Sequence, residues 1–157
     1  MCLPDFVEFK QIDELSPLVG YRVWRNGIKD SLVLTSESQD YNWKEIEGPH
    51  KIREVDSGIY AYNYNYNNNY YNNYNYNYYI FGIINQWGKV AIHKEGQRSE
   101  FAKINTLFLI RELDAKGSKK FLGWIKIFND KVKNIAAKYN AKTIFWQDFI
   151  ERNNKSV

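Results

Sequence analysis

The stretch from Ile80 to Ile110, IFGIINQWGKVAIHKEGQRSEFAKINTLFLI, constrains this chain more than any other. Apolar residues fill two arms, and a polar block from His93 to Glu100 separates them. Lys94-Glu95-Gly96-Gln97 supplies a tight turn, so the stretch predicts two long strands side by side. Gly82 and Gly88 mark places where the first arm can kink. In the second arm Phe101, Lys103 and Asn105 alternate with Ala102, Ile104 and Thr106, the strand period of two. Leu107-Phe108-Leu109-Ile110 is apolar on both faces, so it belongs in the sheet centre or under a helix.

The rest of the chain is read around that hairpin. Residues 1–18 form an N-terminal arm, with a helical turn at Asp13-Glu14-Leu15 that Ser16-Pro17 ends, because a residue before proline avoids the α region. Val19 to Arg25 reads as a strand, and Asn26-Gly27 predicts a hairpin into a second strand at Leu32-Val33-Leu34. Trp43 stands in a polar stretch and is expected to plug onto the core. His50, just past the Gly48-Pro49 turn, is read as a solvated loop residue. Gly58-Ile59-Tyr60-Ala61-Tyr62 begins another strand, with Gly58 allowing a bulge.

Residues 62–79 consist of nine Tyr and nine Asn. Tyr alternates with Asn at both ends, and the asparagine-rich centre suits a turn. The simplest expectation is a long hairpin with arms near 58–66 and 74–84. Three uses compete for it: an expanded surface loop, a stacking surface for bases, or an edge for self-association or a partner. The tract holds no Lys or Arg to meet phosphates.

From Ser118 the period changes. Phe121, Ile125, Phe128, Val132, Ile135 and Tyr139 step by four and three, one stripe of an amphipathic helix over 118–139. Ser118 suits the N-cap and Asn140 the C-cap. Lys119, Lys120, Lys126, Lys131, Lys133 and Lys138 occupy the other faces against a single acid, Asp130. Residues 143–151 read as a last strand or a short helix. The charge is uneven: residues 1–56 hold 7 Lys+Arg and 11 Asp+Glu, residues 57–157 hold 15 and 7. A basic half permits an anionic partner such as nucleic acid, though it serves solubility as well.

No motif specifies a reaction. One cysteine, Cys2, excludes an internal disulfide, and two histidines far apart match no metal-ligand spacing, so no metal or cofactor is expected. Phosphate-loop, dinucleotide and serine-elbow patterns are absent. No segment reads as a membrane span or a signal peptide, so a cytoplasmic protein is expected. The one candidate catalytic group is His93, Arg98 and Glu100. Arg98 and Glu100 share a strand face and can pair, and His93 lies on the opposite arm. Such a set can bind an anion or move a proton, or it can simply pin the hairpin's register.

Four segments carry a resemblance: Pro17 to Trp24; Gly58-Ile59-Tyr60-Ala61; Trp87-Gly88-Lys89-Val90-Ala91-Ile92-His93; and Gly96-Gln97-Arg98-Ser99-Glu100-Phe101-Ala102. Together they resemble a widespread small domain of uncharacterised microbial and phage proteins. The likeness covers most of residues 17–110 and implies no established activity. Those proteins often carry a Cys-x-Cys pair before the Gly-Ile-Tyr-Ala segment, where this chain has Val55-Asp56-Ser57.

The expected fold is a single α+β domain: a bent antiparallel sheet or small β-barrel covered by one long C-terminal amphipathic helix. The expected function is a non-enzymatic binding module engaging nucleic acid or a nucleic-acid-handling protein. Its binding residues would be the six lysines together with Tyr64, Tyr66, Tyr74, Tyr76 and Trp87. The alternatives are a protein-interaction factor of phage or plasmid type acting through the Tyr-rich hairpin, and a small hydrolase or transferase using His93, Arg98 and Glu100.

Overall fold

Two strands, β6 (Tyr79–His93) and β7 (Gly96–Leu109), form the spine of the molecule and pair antiparallel across the two-residue turn Lys94-Glu95. The computed structural model describes residues 3–25, 33–36, 41–55, 57–63, 79–111 and 119–155, without the side chains of 119–122 and 153–155. The other elements are β1 (Phe6–Ile12), β2 (Leu18–Arg25), β3 (Thr35–Ser36), β4 (Ile46–Glu47), β5 (Ile59–Tyr62), α1 (Lys119–Lys138), β8 (Lys142–Phe145) and α2 (Trp146–Lys155).

The strands form one eight-stranded sheet. β6 pairs with β1 along its C-terminal half, with β2 along its N-terminal half, and with β7 along its other edge. β5 lies between β7 and β2, touching β2 through the single pair Tyr21↔Tyr62. The β6–β7 register shifts between Ile83 and Ile84 and again between Trp87 and Val90, the second at Gly88, whose φ is +82°. Each shift adds local twist.

The core gathers on this spine. Trp24, Leu34, Phe81, Ile84, Ile104, Leu107 and Phe108 are fully buried, and Trp43 meets Trp24 edge-on at 5.3 Å from its loop. Burying side chains of this size contributes roughly 1.5–3 kcal/mol each before chain entropy is counted.

The C-terminal region overturns the expected architecture. Ile125, Phe128, Val132, Ile135 and Tyr139 are buried, as the four-three spacing requires. Yet the helical part is two helices split by a strand, and α1 packs mainly on β7 and β8. Asn140, at φ 54°, ends α1: the Ala141 N–H donates to the Ala136 carbonyl at 2.8 Å and the Asn140 N–H to the Ala137 carbonyl at 3.3 Å. This left-handed cap sends the chain back, and β8 joins β7 in parallel, Thr106↔Lys142 to Leu109↔Phe145. A parallel neighbour needs a crossover, and α1 is that crossover. The sheet is therefore mixed, not antiparallel, and among the described residues the protein is mostly strand, with no single C-terminal helix as a lid over the sheet. Asn129 fixes α1 to the end of β7: its amide donates to the Ile110 carbonyl at 2.7 Å and accepts from the Ile110 N–H at 3.0 Å.

Two further expectations change. The N-terminal arm contains a true strand, β1, followed by a turn in which the Ser16 N–H donates to the Asp13 carbonyl at 3.1 Å. And β5 does not pair with β6 as hairpin arms would: β2 stands between them, meeting β6 from Leu18 to Arg25 and β5 at Tyr21. The centre of the Tyr/Asn tract, residues 64–78, lies outside the described residues, as do residues 26–32 of the hairpin expected over 20–35; its flanks pair antiparallel, Trp24↔Ser36 and Arg25↔Thr35, so the second strand is β3 and not Leu32-Val33-Leu34.

Candidate functional site

The β6–β7 turn brings His93 and Arg98 together. Arg98 is only 1% exposed, yet among the described residues no carboxylate meets it. Its Nε donates to His93 Nε2 at 3.0 Å. Nη1 donates to the Ser57 carbonyl at 2.8 Å and the Ser57 hydroxyl at 3.1 Å, and Nη2 to the carbonyls of Arg53 and Glu54 at 2.9 and 3.0 Å. All five guanidinium donors are thus in use.

The same bonds fix the state of His93. A guanidinium does not give up its proton, so Nε2 must carry the lone pair and Nδ1 the hydrogen, which points to the Pro4 carbonyl at 3.2 Å. Burial is the main cause holding the imidazole below its ordinary pKa, with the Arg98 charge adding to it, while the carbonyls of Pro4 and Leu3 and the Asp5 carboxylate pull the other way. Both ring nitrogens are occupied. As placed, the pair has no free donor or lone pair for a ligand. What it does is join three segments: the N-terminal residues 3–5, the loop 53–57, and the β6–β7 hairpin.

Glu100 stands apart from this pair. Its carboxylate accepts from the Lys89 N–H at 3.0 Å, opposite the Gly88 bulge. The expected Arg98–Glu100 ion pair does not form, because Arg98 has no N–H left to give.

Two polar clusters escaped the sequence reading. In the first, Gln86, Gln97 and Ser99 are buried around Gly20. The Gln86 amide donates to the Ile59 carbonyl at 2.9 Å and to Ser99 Oγ at 3.0 Å, and the Gln97 amide donates to Gln86 Oε1 at 2.8 Å and to the Val19 carbonyl at 3.1 Å. These amides tie β2, β5, β6 and β7 together from within. The available signal was slight: Gln86 shares strand parity with Ile84 and Ile80, so its amide falls on a face that is otherwise apolar.

In the second, Glu47 is 1% exposed and accepts from the Tyr41 hydroxyl at 2.8 Å and from the Lys44 N–H, with His50 Nε2 3.7 Å away. The bond to Glu47, with burial second, pushes the Tyr41 hydroxyl up to about 12. Beside it, the Tyr139 hydroxyl donates to the Trp43 carbonyl at 2.6 Å and accepts from the Leu34 N–H at 3.1 Å, so the end of α1 holds the loop that carries Trp43. Among the described residues no group of His, Cys, Asp and Glu stands ready for a metal ion.

The chain matches no family model, no curated protein and no solved structure. Its functional reading therefore rests on its own surface.

Lys126, Lys133 and Lys138 are exposed on α1 and Lys131 is half-buried. The backbone of Lys119 and Lys120 opens the helix, and their side chains lie outside the described residues. Helical spacing of roughly 100° per residue separates two rows: Lys126 with Lys133, and Lys131 with Lys138. Trp124, 43% exposed, and Ile127, 68% exposed, extend the second row. Trp87 is elsewhere and buried, its ring stacked on Phe101 at 5.7 Å and 11°. Tyr64, Tyr66, Tyr74 and Tyr76 fall outside the described residues. Among those residues no helix is long and apolar enough to cross a membrane.

Proposed function

We propose that this protein is a non-enzymatic binding module that engages nucleic acid through the solvent face of α1. The observation that carries the reading is Trp124: a large aromatic side chain left 43% exposed on the row of α1 that holds Lys131 and Lys138, with Lys126 and Lys133 exposed on the other row. Lysines neutralise phosphates and release counterions, which gives affinity without sequence preference. An exposed indole supplies the second half of such a site, a flat π-face worth about 1–3 kcal/mol per stacked base. The helix carries six lysines against Asp130 alone, so the surface repels cations and draws an anionic polymer. The bonding of Arg98 and His93 supports a binding role over a catalytic one, since neither offers a free group to a reactant.

The test is electrophoretic retardation of single- and double-stranded DNA and RNA, with Trp124→Ala and a Lys126→Glu/Lys133→Glu/Lys138→Glu variant alongside. The expected result is retardation at low salt, lost in the triple variant and weakened in Trp124→Ala. Log affinity should fall against log salt with a slope of about −0.7 to −0.9 per phosphate contacted. No retardation at low salt, or equal retardation by the triple variant, refutes the proposal.

A further inference from the structure

β1 is an edge strand. It pairs with β6 along one side, and among the described residues nothing pairs with the other. A row of unpaired N–H and C=O groups is a template for another strand, and proteins normally blunt such edges with lysine, proline or a bulge. β1 carries two of these devices. A register shift lies between Phe6 and Glu8, and Lys10 stands on the strand with its side chain 53% exposed. The lysine, however, is not alone. Glu8, two residues earlier and 52% exposed, shares its face and lies 3.5 Å from it.

That spacing makes the strand self-complementary. Laid antiparallel on a copy of itself about Phe9, FVEFKQI sets Glu8 opposite Lys10 twice, Phe9 opposite Phe9, and Phe6 opposite Ile12. Each chain offers the other an opposite charge at both positions, and cross-strand pairs of this kind stabilise a sheet where like charges opposite each other would open it. Phe6 and Val7 are exposed apolar residues at the same edge, at 38% and 61%. A lone edge lysine would repel a second copy; Glu8 turns it into the matching charge.

We propose that β1 is a self-association edge, pairing antiparallel with β1 of a second copy of this chain about a two-fold axis at Phe9. The interface is isologous, as a closed dimer requires. The shift after Phe6 limits the flat contact to the middle of the strand, so the dimer is small and transient and its population follows concentration.

The experiment is sedimentation velocity on the full chain over roughly two decades of concentration, where each decade corresponds to about 1.4 kcal/mol. Four samples are compared: the native chain, Glu8→Lys, Lys10→Glu, and the double variant Glu8→Lys/Lys10→Glu. The native chain and the double variant should shift toward dimer together. Each single variant, now facing like charge with like charge at two positions, should dimerise at least about tenfold more weakly. Mixing the two single variants should restore association, because both positions of one chain would then be lysine and both positions of the other glutamate. Circular dichroism of the variants checks that these exposed changes leave the fold intact. A native chain that stays monomeric throughout overturns the proposal. So do single variants that dimerise as tightly as the native chain, or a double variant that fails to recover.

Discussion

Replacing His93 by alanine removes the acceptor on which a buried guanidinium depends. Arg98 Nε would be left without its partner and, at 1% exposure, with little access to water. A hydrogen bond to a charged group is worth about 1.5–3 kcal/mol, and stranding the donor carries the full desolvation penalty as well. The lost imidazole also leaves a void where Phe6 now meets it edge-on at 5.7 Å. We expect His93→Ala to cost about 2–4 kcal/mol in urea-melt stability at neutral pH. His93→Gln is the control, since its side-chain oxygen can stand near the place of Nε2 and should recover at least about half of that loss. The same bond sets a pH dependence. The folded-state pKa of His93 is lowered, so its contribution is fully present above the unfolded value of about 6.5 and is lost as pH falls through the lower folded value. Protonation there removes the lone pair that Arg98 uses and sets two cations side by side. Melts at successive pH values should show this acid limb in the native chain and a flatter one in His93→Gln. Should His93→Ala lie within about 0.5 kcal/mol of native, the clamp is not what holds these segments. Equal losses in the alanine and glutamine variants would likewise refute the argument from the acceptor.

Two other outcomes follow from close contacts in the core. Gly20→Ala would bring a new methyl within 2.4 Å of Ala61 Cβ and 2.7 Å of Gln86 Oε1, so β2 must move or the amide network must break; a loss of about 1–3 kcal/mol or more in denaturant melts is expected. Tyr41 should resist ionisation to about 12 in a phenolate absorbance titration, and Glu47→Gln should return it toward its ordinary value of 10.0 by removing the acceptor charge that opposes the phenolate.

Much of this fold can be read from residue spacing, and the rest cannot for definite reasons. The arms of β6 and β7 announce themselves through the apolar stretches Ile80 to Ile84 and Leu107 to Leu109 and the period-two alternation from Phe101 to Thr106. The α1 stripe and its Asn140 cap are visible because helical packing and left-handed turns select residue types locally. β1 shows no period because, at an edge, most of its side chains face water. β8 is too short to be told from a helix start, and its parallel pairing follows from where α1 deposits the chain rather than from its own residues. The expected charge pair of Arg98 with Glu100 failed for a related reason. A sequence displays carboxylates, whereas the acceptors Arg98 actually uses include backbone carbonyls at Arg53, Glu54 and Ser57, far away along the chain. Glu47 looks like any surface acid until Tyr41 and Lys44 are seen to close over it.

The placement of β5 and β6 on opposite sides of β2 bears on the Tyr/Asn tract between them. β5 ends at Tyr62, held opposite Tyr21, and β6 begins at Tyr79, held opposite Arg25. Those moorings are four residues apart on β2, about 13 Å along the strand. Neither takes its alignment from the other, so among the described strands no rung of the ladder is set by the number of residues between them.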